Sequence, residues 1–144
     1  MARSKSYREL IVWQKAMVLA RKAYEITRNL PKSESFGLLA QIRRAAVSVP
    51  SNIAEGHGRL TDSQFRHFLG NARGSLYEME TQVELAGDLG YLEDKIVRDL
   101  MMQGSEVARL INGLVSVLSP SKRVEAGSEN SANTASSANS ARKG

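Results

Sequence analysis

Between Thr61 and Asp88 the apolar residues Phe65, Leu69, Ala72, Leu76, Met79, Val83 and Ala86 recur at alternating intervals of three and four. That spacing puts all of them on one face of an α-helix and cannot serve a strand, whose faces alternate every second residue. A capping-box start in Thr61 with Gln64 precedes the run, so a helix is expected to about Asp88. Gly70 and Gly74 on it permit one close helix contact. Three further segments carry the same period, which restricts the chain to a packed set of helices.

The first of these is expected from about Arg8 to Asn29, with Pro31 beyond it as a stop signal. Its apolar residues fall into two adjoining stripes: Leu10, Trp13, Met17, Ala20 and Tyr24, then Val12, Ala16, Leu19, Ala23 and Ile26. Together they exceed the stripe of roughly 100° that a monomeric surface helix needs, so this helix is expected to pack on two sides, one of them against another subunit. A second helix, about Glu34 to Glu55, points Phe36, Leu39, Ile42, Ala46, Val49 and Ile53 inward. Pro50 inside it removes a donor and crowds the Ala46 carbonyl, which predicts a kink with Ser48, Ser51 and Asn52 placed to satisfy the freed groups. Gly56 and Gly58 are expected to end it in a left-handed cap. The last helix is expected from near Leu92 to before Pro120, with Ile96, Leu100, Val107, Ile111, Leu114 and Leu118 inward and an Asp94–Arg98 pair on its surface.

Short connections between four such helices give an all-α, antiparallel up-and-down four-helix bundle that assembles into a homo-oligomer. Residues 1–7 read as a short N-terminal arm, 8–119 as the bundle and 120–144 as a disordered tail. In the tail, Ser, Ala and Asn make up 14 of the last 24 residues and Val124 is the one large apolar side chain, too little to offset the entropy of ordering. No stretch is long enough to span a membrane, and Gln14 and Lys15 interrupt the Leu10–Trp13 run before it could form a signal-peptide core. The expected location is the cytoplasm.

The chain has no cysteine, which excludes disulfides, thiol catalysis and thiolate metal sites. Its histidines, His57 and His67, lie on different elements with no metal-ligand spacing and no phosphate loop nearby, so neither a metal nor a cofactor is implied. His57 near Glu55 reads as a cap or loop residue before it reads as an acid/base pair, and no catalytic residue is assigned.

Charge says more. Residues 1–60 hold 11 Lys and Arg against 4 Asp and Glu, whereas residues 61–120 hold 5 against 9. Arg8, Lys15 and Lys22 repeat every seven residues, Arg21 and Arg28 form a parallel row, Arg43 and Arg44 sit on the second helix, Arg59 follows it, and Arg66 and Arg73 are one heptad apart on the third. Guanidinium groups bind phosphates through paired donors, so a surface joining these rows suits a nucleic-acid backbone without implying base reading. Against this stands the acidic ridge Glu80, Glu84 and Asp88, which calls for facing cations, the rows of the first helix foremost, within one subunit or across an interface. In that case part of the basic surface is internal salt bridging, and Arg43 or Arg44 is structural. The reading is therefore a non-enzymatic oligomer that binds RNA or DNA. The alternative is a protein scaffold that touches no nucleic acid, and a trace hydrolase or nuclease is a third class. Charge reversal of Arg21 and Lys22 separates the first two.

Three segments carry a family resemblance: YRELIVWQKAMVLA, LLAQIRRAAVSVPSNIAEGHGR and FRHFLGNARGSLYEMETQVELAGDLGY. Over about residues 6 to 118 the chain resembles bacterial four-helix-bundle proteins encoded by intervening sequences in 23S ribosomal RNA genes. It is also similar to the accessory variability determinant proteins of diversity-generating retroelements. The resemblance implies a homopentameric barrel with a basic surface, with nucleic acid and a nucleic-acid enzyme such as a reverse transcriptase as partners. It carries over Trp13, Gln14, Arg43, Arg44, Ser48, Pro50, Asn52, Glu55, Gly56, Arg59, Arg73, Gly74 and Ser75. Within that set Asn52 and Glu55 are expected to tie the helix end to Arg44 or Arg73. Tyr7 stands where the family usually has phenylalanine, and the Ser/Ala/Asn-rich tail has no counterpart.

Overall fold

A computed structural model describes residues 4–120, and the expected tail from Ser121 onward lies outside the described residues. The described chain is all-α, with four helices: α1 Ile11–Thr27, α2 Leu38–His57, α3 Asp62–Asp88 and α4 Asp94–Val117. Two 3-10 turns, Tyr7–Glu9 and Lys32–Glu34, precede α1 and α2. Each helix packs on the next and α4 returns to α1, while the backbones of the diagonal pairs α1/α3 and α2/α4 stay apart and their side chains share one core. The core sits on the common axis, where Ile42, Val49, Ile53, Leu69, Leu76, Met79, Val83 and Ile111 are fully buried.

The sequence pattern of α3 holds without exception, since all seven of its periodic residues are buried and the Thr61 hydroxyl accepts from the Gln64 amide at 3.2 Å. The start of α1 differs from expectation. Leu10 is extended, so residues 7–9 form a separate turn capped by the Ser6 hydroxyl, and the Gln14 side chain donates to the Arg8 carbonyl at 2.8 Å across the break.

The start of α2 also moves. Phe36, expected inward, is 99% exposed, because the helix begins only at Leu38 and that residue takes the core position. Glu34 explains the shift: one carboxylate oxygen accepts from the Leu38 amide at 3.2 Å and the other from the Tyr91 hydroxyl at 3.1 Å. One side chain thus caps α2 and fastens it to the segment before α4.

Glycine roles are redistributed as well. Gly56 lies inside α2 and is buried, and a Cβ there would stand 2.6 Å from the Phe68 Cβ and 3.0 Å from the Phe65 ring. It is glycine because α3 approaches closely, and Gly58 caps with a negative φ of −77° in place of the expected left-handed turn. The left-handed glycine among the described residues is Gly90, φ 81°, which lets the Tyr91 amide reach back to the Ala86 carbonyl at 2.9 Å and ends α3. A Cβ at Gly70 or Gly74 would meet nothing within 4 Å, so the close contact expected there is not made within the chain.

Pro50 is buried in an unbroken α2. The Asn52 amide turns back to the Ser48 carbonyl and hydroxyl at 2.8 and 2.9 Å, and the Ser48 hydroxyl meets that of Ser75 at 2.8 Å. This polar ladder ties the proline-bearing turn to α3. On the surface of α4, Asp94 and Arg98 form no ion pair.

Candidate nucleic-acid interface

The ten cations expected to bind phosphate divide by what they touch. Three are committed within the chain. Arg43 donates through Nε to the Thr27 hydroxyl at 2.9 Å and through Nη2 to the Tyr24 carbonyl at 3.2 Å, with its guanidinium 4.5 Å from the Tyr24 ring centre. Arg66 donates to the Val115 and Leu118 carbonyls at 2.6 and 3.2 Å. Both close the carboxyl end of a helix, α1 and α4 respectively, that has no basic residue of its own in its last turn. The terminal carbonyls and the negative dipole end are thereby met from a neighbouring helix, beside the Thr27 hydroxyl at the Tyr24 carbonyl and the Leu118 amide at that of Val115. Arg73 donates to Asn112 Oδ1 at 2.7 Å and joins α3 to α4. Arg43, Arg66 and Arg73 are thus hydrogen-bonded within the bundle, and of the pair weighed for a structural role, Arg43 holds it.

Three more form exposed ion pairs: Lys15 with Glu106 at 3.3 Å, Lys22 with Glu25 at 3.7 Å and Arg59 with Glu55 at 2.9 Å. Arg59 also stacks 4.7 Å from the Phe68 ring centre, and Arg8 lies 4.7 Å from that of Tyr7. Glu55 and Asn52 therefore hold Arg59 and Ser48, not Arg44 or Arg73 as expected. Arg21, Arg28 and Arg44 are exposed, and their side chains make no hydrogen bond or ion pair with the described residues.

Arg21 and Arg28 line a groove of about 750 Å³ between α1 and α2. Its apolar floor is Trp13, Met17, Ala20 and Tyr24 from α1 with Val47, Pro50 and Ala54 from α2, while Tyr7 lines one end and Ser51 and Glu25 stand at its edges. The first α1 stripe is thus half-exposed except at the buried Ala20, and the second is buried in the core. Val47 and Ala54 were not singled out from sequence, although with Ser51 they keep a 4–3 spacing on the outward side of α2 that carries the signal.

On α3 the ridge finds no cation among the described residues. The Glu80 carboxylate is half-buried, within 3.1 Å of where a Cβ on Gly104 would stand, and burial, then the nearby Glu84 charge, raise its pKa above the usual carboxylate value. His57 is a packing residue: its ring lies 2.9 Å from the Ser4 carbonyl and edge-on to Phe65. Among the described residues no group of three or more His, Cys, Asp or Glu could hold a metal, and no helix is long and apolar enough to cross a membrane.

A search among curated proteins finds no match. A crystal structure at 1.70 Å of a protein of unknown function from the S23 ribosomal protein family of Bacteroides thetaiotaomicron superposes with a TM-score of 0.66 at 21% identity, over 73% of this chain and 98% of that one. At that identity the likeness shows a shared fold. Residues 8–113 match the 23S rRNA-intervening sequence proteins, and with that match over well more than half its length this chain belongs to that family.

Proposed function

We propose that this protein is a non-enzymatic, homo-oligomeric antiparallel bundle that binds the backbone of RNA or DNA through its α1/α2 half. The up-and-down topology is supported by contacts that run in opposite order along neighbouring helices: Ser48 meets Ser75 while Gly56 meets Phe68, and Glu80 meets Gly104 while Gly87 meets Val97. The observation that carries the binding reading is the distribution of uncommitted charge. Once Arg43, Arg66 and Arg73 are subtracted, α3 retains no free arginine. The α1/α2 half keeps Arg21, Arg28 and Arg44 unpaired, and Arg8, Lys15, Lys22 and Arg59 in exposed contacts that a phosphate can displace at small cost. Family membership adds an association with ribosomal RNA genes. A nucleic-acid enzyme, a reverse transcriptase among them, is the protein partner to test once binding is measured.

The test is a salt titration of binding to a structured RNA and to a DNA duplex. Log affinity should fall linearly with log salt, by about 0.9 per phosphate neutralised on a duplex. A flat dependence, or no binding at low salt, would overturn this reading. The second reading, an oligomeric scaffold free of nucleic acid, is favoured by the apolar floor of the groove, which phosphate does not need. Charge reversal of Arg21 and Lys22 separates the two: RNA binding lost with the oligomer intact supports the first, dissociation into monomers the second.

A further inference from the structure

Where α1 stops and α4 begins, the end of the bundle holds a further cavity of about 570 Å³, a size common among small-ligand sites. Its floor is apolar, made of Ile26, Leu92 and Ile96. Tyr91 forms a wall that is held at two points: its amide donates to the Ala86 carbonyl at 2.9 Å and its hydroxyl to Glu34 at 3.1 Å. With the hydroxyl committed, what Tyr91 offers the cavity is its ring, oriented before any ligand arrives.

Around this floor stand three polar side chains without an internal partner. Arg28, Asn29 and Glu93 are exposed, and their side chains form no hydrogen bond or ion pair with the described residues. Glu93 is the N-cap of α4, yet its carboxylate makes no capping bond. Lys22 is at the rim in a 3.7 Å pair with Glu25, exposed enough for a phosphate to compete for it. Arg28 lines the α1/α2 groove as well, so the cavity adjoins the basic surface of α1.

Each group selects a different part of one ligand. The apolar floor and the fixed ring take a flat aromatic face, the guanidinium takes phosphate, and the carboxylate is an acceptor that demands N–H donors. A bare phosphate would leave floor and ring uncovered, and an aliphatic chain would leave the polar rim unused. A nucleotide uses both, provided its base is out of the duplex stack, so that its face is free for Tyr91 and its pairing edge for Glu93. On that edge guanine presents two adjacent donors, N1–H and the N2 amino group. Adenine and cytosine present one amino group, and uracil a single N3–H.

Resting on the nucleic-acid reading above and deepening it, we propose that this cavity takes one unpaired nucleotide of a bound RNA and prefers guanine. The base lies against Tyr91 over Ile26 and Ile96, Glu93 accepts from N1–H and the N2 amino group, Asn29 donates to O6, and Arg28 with Lys22 holds the adjoining phosphate. Backbone contacts elsewhere on the protein bind any sequence, whereas this site reads a base.

The test compares binding of the full chain, at one salt concentration, to a fully paired RNA hairpin and to the same hairpin with one bulged guanosine in its stem. The bulged RNA should bind at least about 10-fold tighter, as stacking one base on an aromatic ring supplies. A bulged uridine should lose most of that gain. Tyr91→Leu should bring the bulged RNA to the level of the paired one. Tyr91→Phe, which loses the same bond to Glu34 but keeps the ring, should retain the discrimination, with circular dichroism checking the fold of both variants. Glu93→Gln should abolish the preference for guanosine over uridine and leave the paired RNA bound as before. Equal affinity for the three RNAs, discrimination indifferent to Tyr91→Leu and Glu93→Gln, or free GMP competing at the concentration of the RNA itself would overturn the assignment and leave backbone binding standing. No binding of any of these RNAs at low salt would overturn both.

Discussion

Helix α2 closes on α3 along one side and stays open against α1 along the other. On the closed side the facing residues are small: Gly56 sits under Phe68, Ser48 meets Ser75, and Ala45 is buried. On the open side Trp13, Met17, Tyr24, Val47 and Pro50 surround a groove. One helix therefore builds both a finished interior and an unfinished surface, and side-chain volume at each seam decides which. The contrast extends to charge, since Arg43 is consumed by the end of α1, whereas the side chain of its neighbour Arg44 is exposed and makes no hydrogen bond or ion pair with the described residues.

The largest effect should come from emptying the closed side. Ile53→Ala removes a fully buried side chain and should cost about 2–5 kcal/mol in denaturant unfolding, whereas Val47→Ala at the groove should cost under about 1 kcal/mol in the monomer. Equal losses at the two positions would erase the distinction. Next, Gly56→Ala should destabilise by about 1–3 kcal/mol, because its Cβ meets the Cβ of Phe68, an atom close to the backbone that cannot swing aside. Gly74→Ala, in open space, should instead gain up to about 1 kcal/mol from helix propensity.

The arginine pair sharpens the same contrast. Arg43→Ala removes the donor to the Thr27 hydroxyl and one of the two donors beside the Tyr24 carbonyl, and should cost about 1–3 kcal/mol in thermal unfolding. Arg44→Ala should leave stability within about 0.5 kcal/mol and lower the salt slope of RNA binding by about one phosphate. The smallest expected effect is at Glu80. Its folded pKa is raised above the unfolded value near 4.5, so the folded chain holds the proton more tightly and stability falls as pH rises from that value through the folded pKa. Glu80→Gln should flatten this part of the pH profile and raise the melting temperature slightly at neutral pH. An unchanged profile would show that the carboxylate is better solvated than its place against Gly104 implies.

Periodicity along the chain was enough to specify helices and their inward faces, because burying one apolar stripe is a local demand that each segment states by itself. Hence every inward residue of α3 was legible, as were the Thr61 cap and the double stripe of α1. Phe36 and Gly56 were not, since Glu34 settles where α2 begins by bonding to Leu38 and Tyr91, and Gly56 answers to Phe68 on another helix. The charged surface divides in the same way. That the first half is basic is written in the composition, but which cations remain available depended on where helix ends fall. Arg43 and Arg66 meet the carbonyl ends of α1 and α4, partners 15 or more residues away in sequence. A sequence states what each residue can bind, and packing decides which partner comes within the roughly 3 Å over which a hydrogen bond acts.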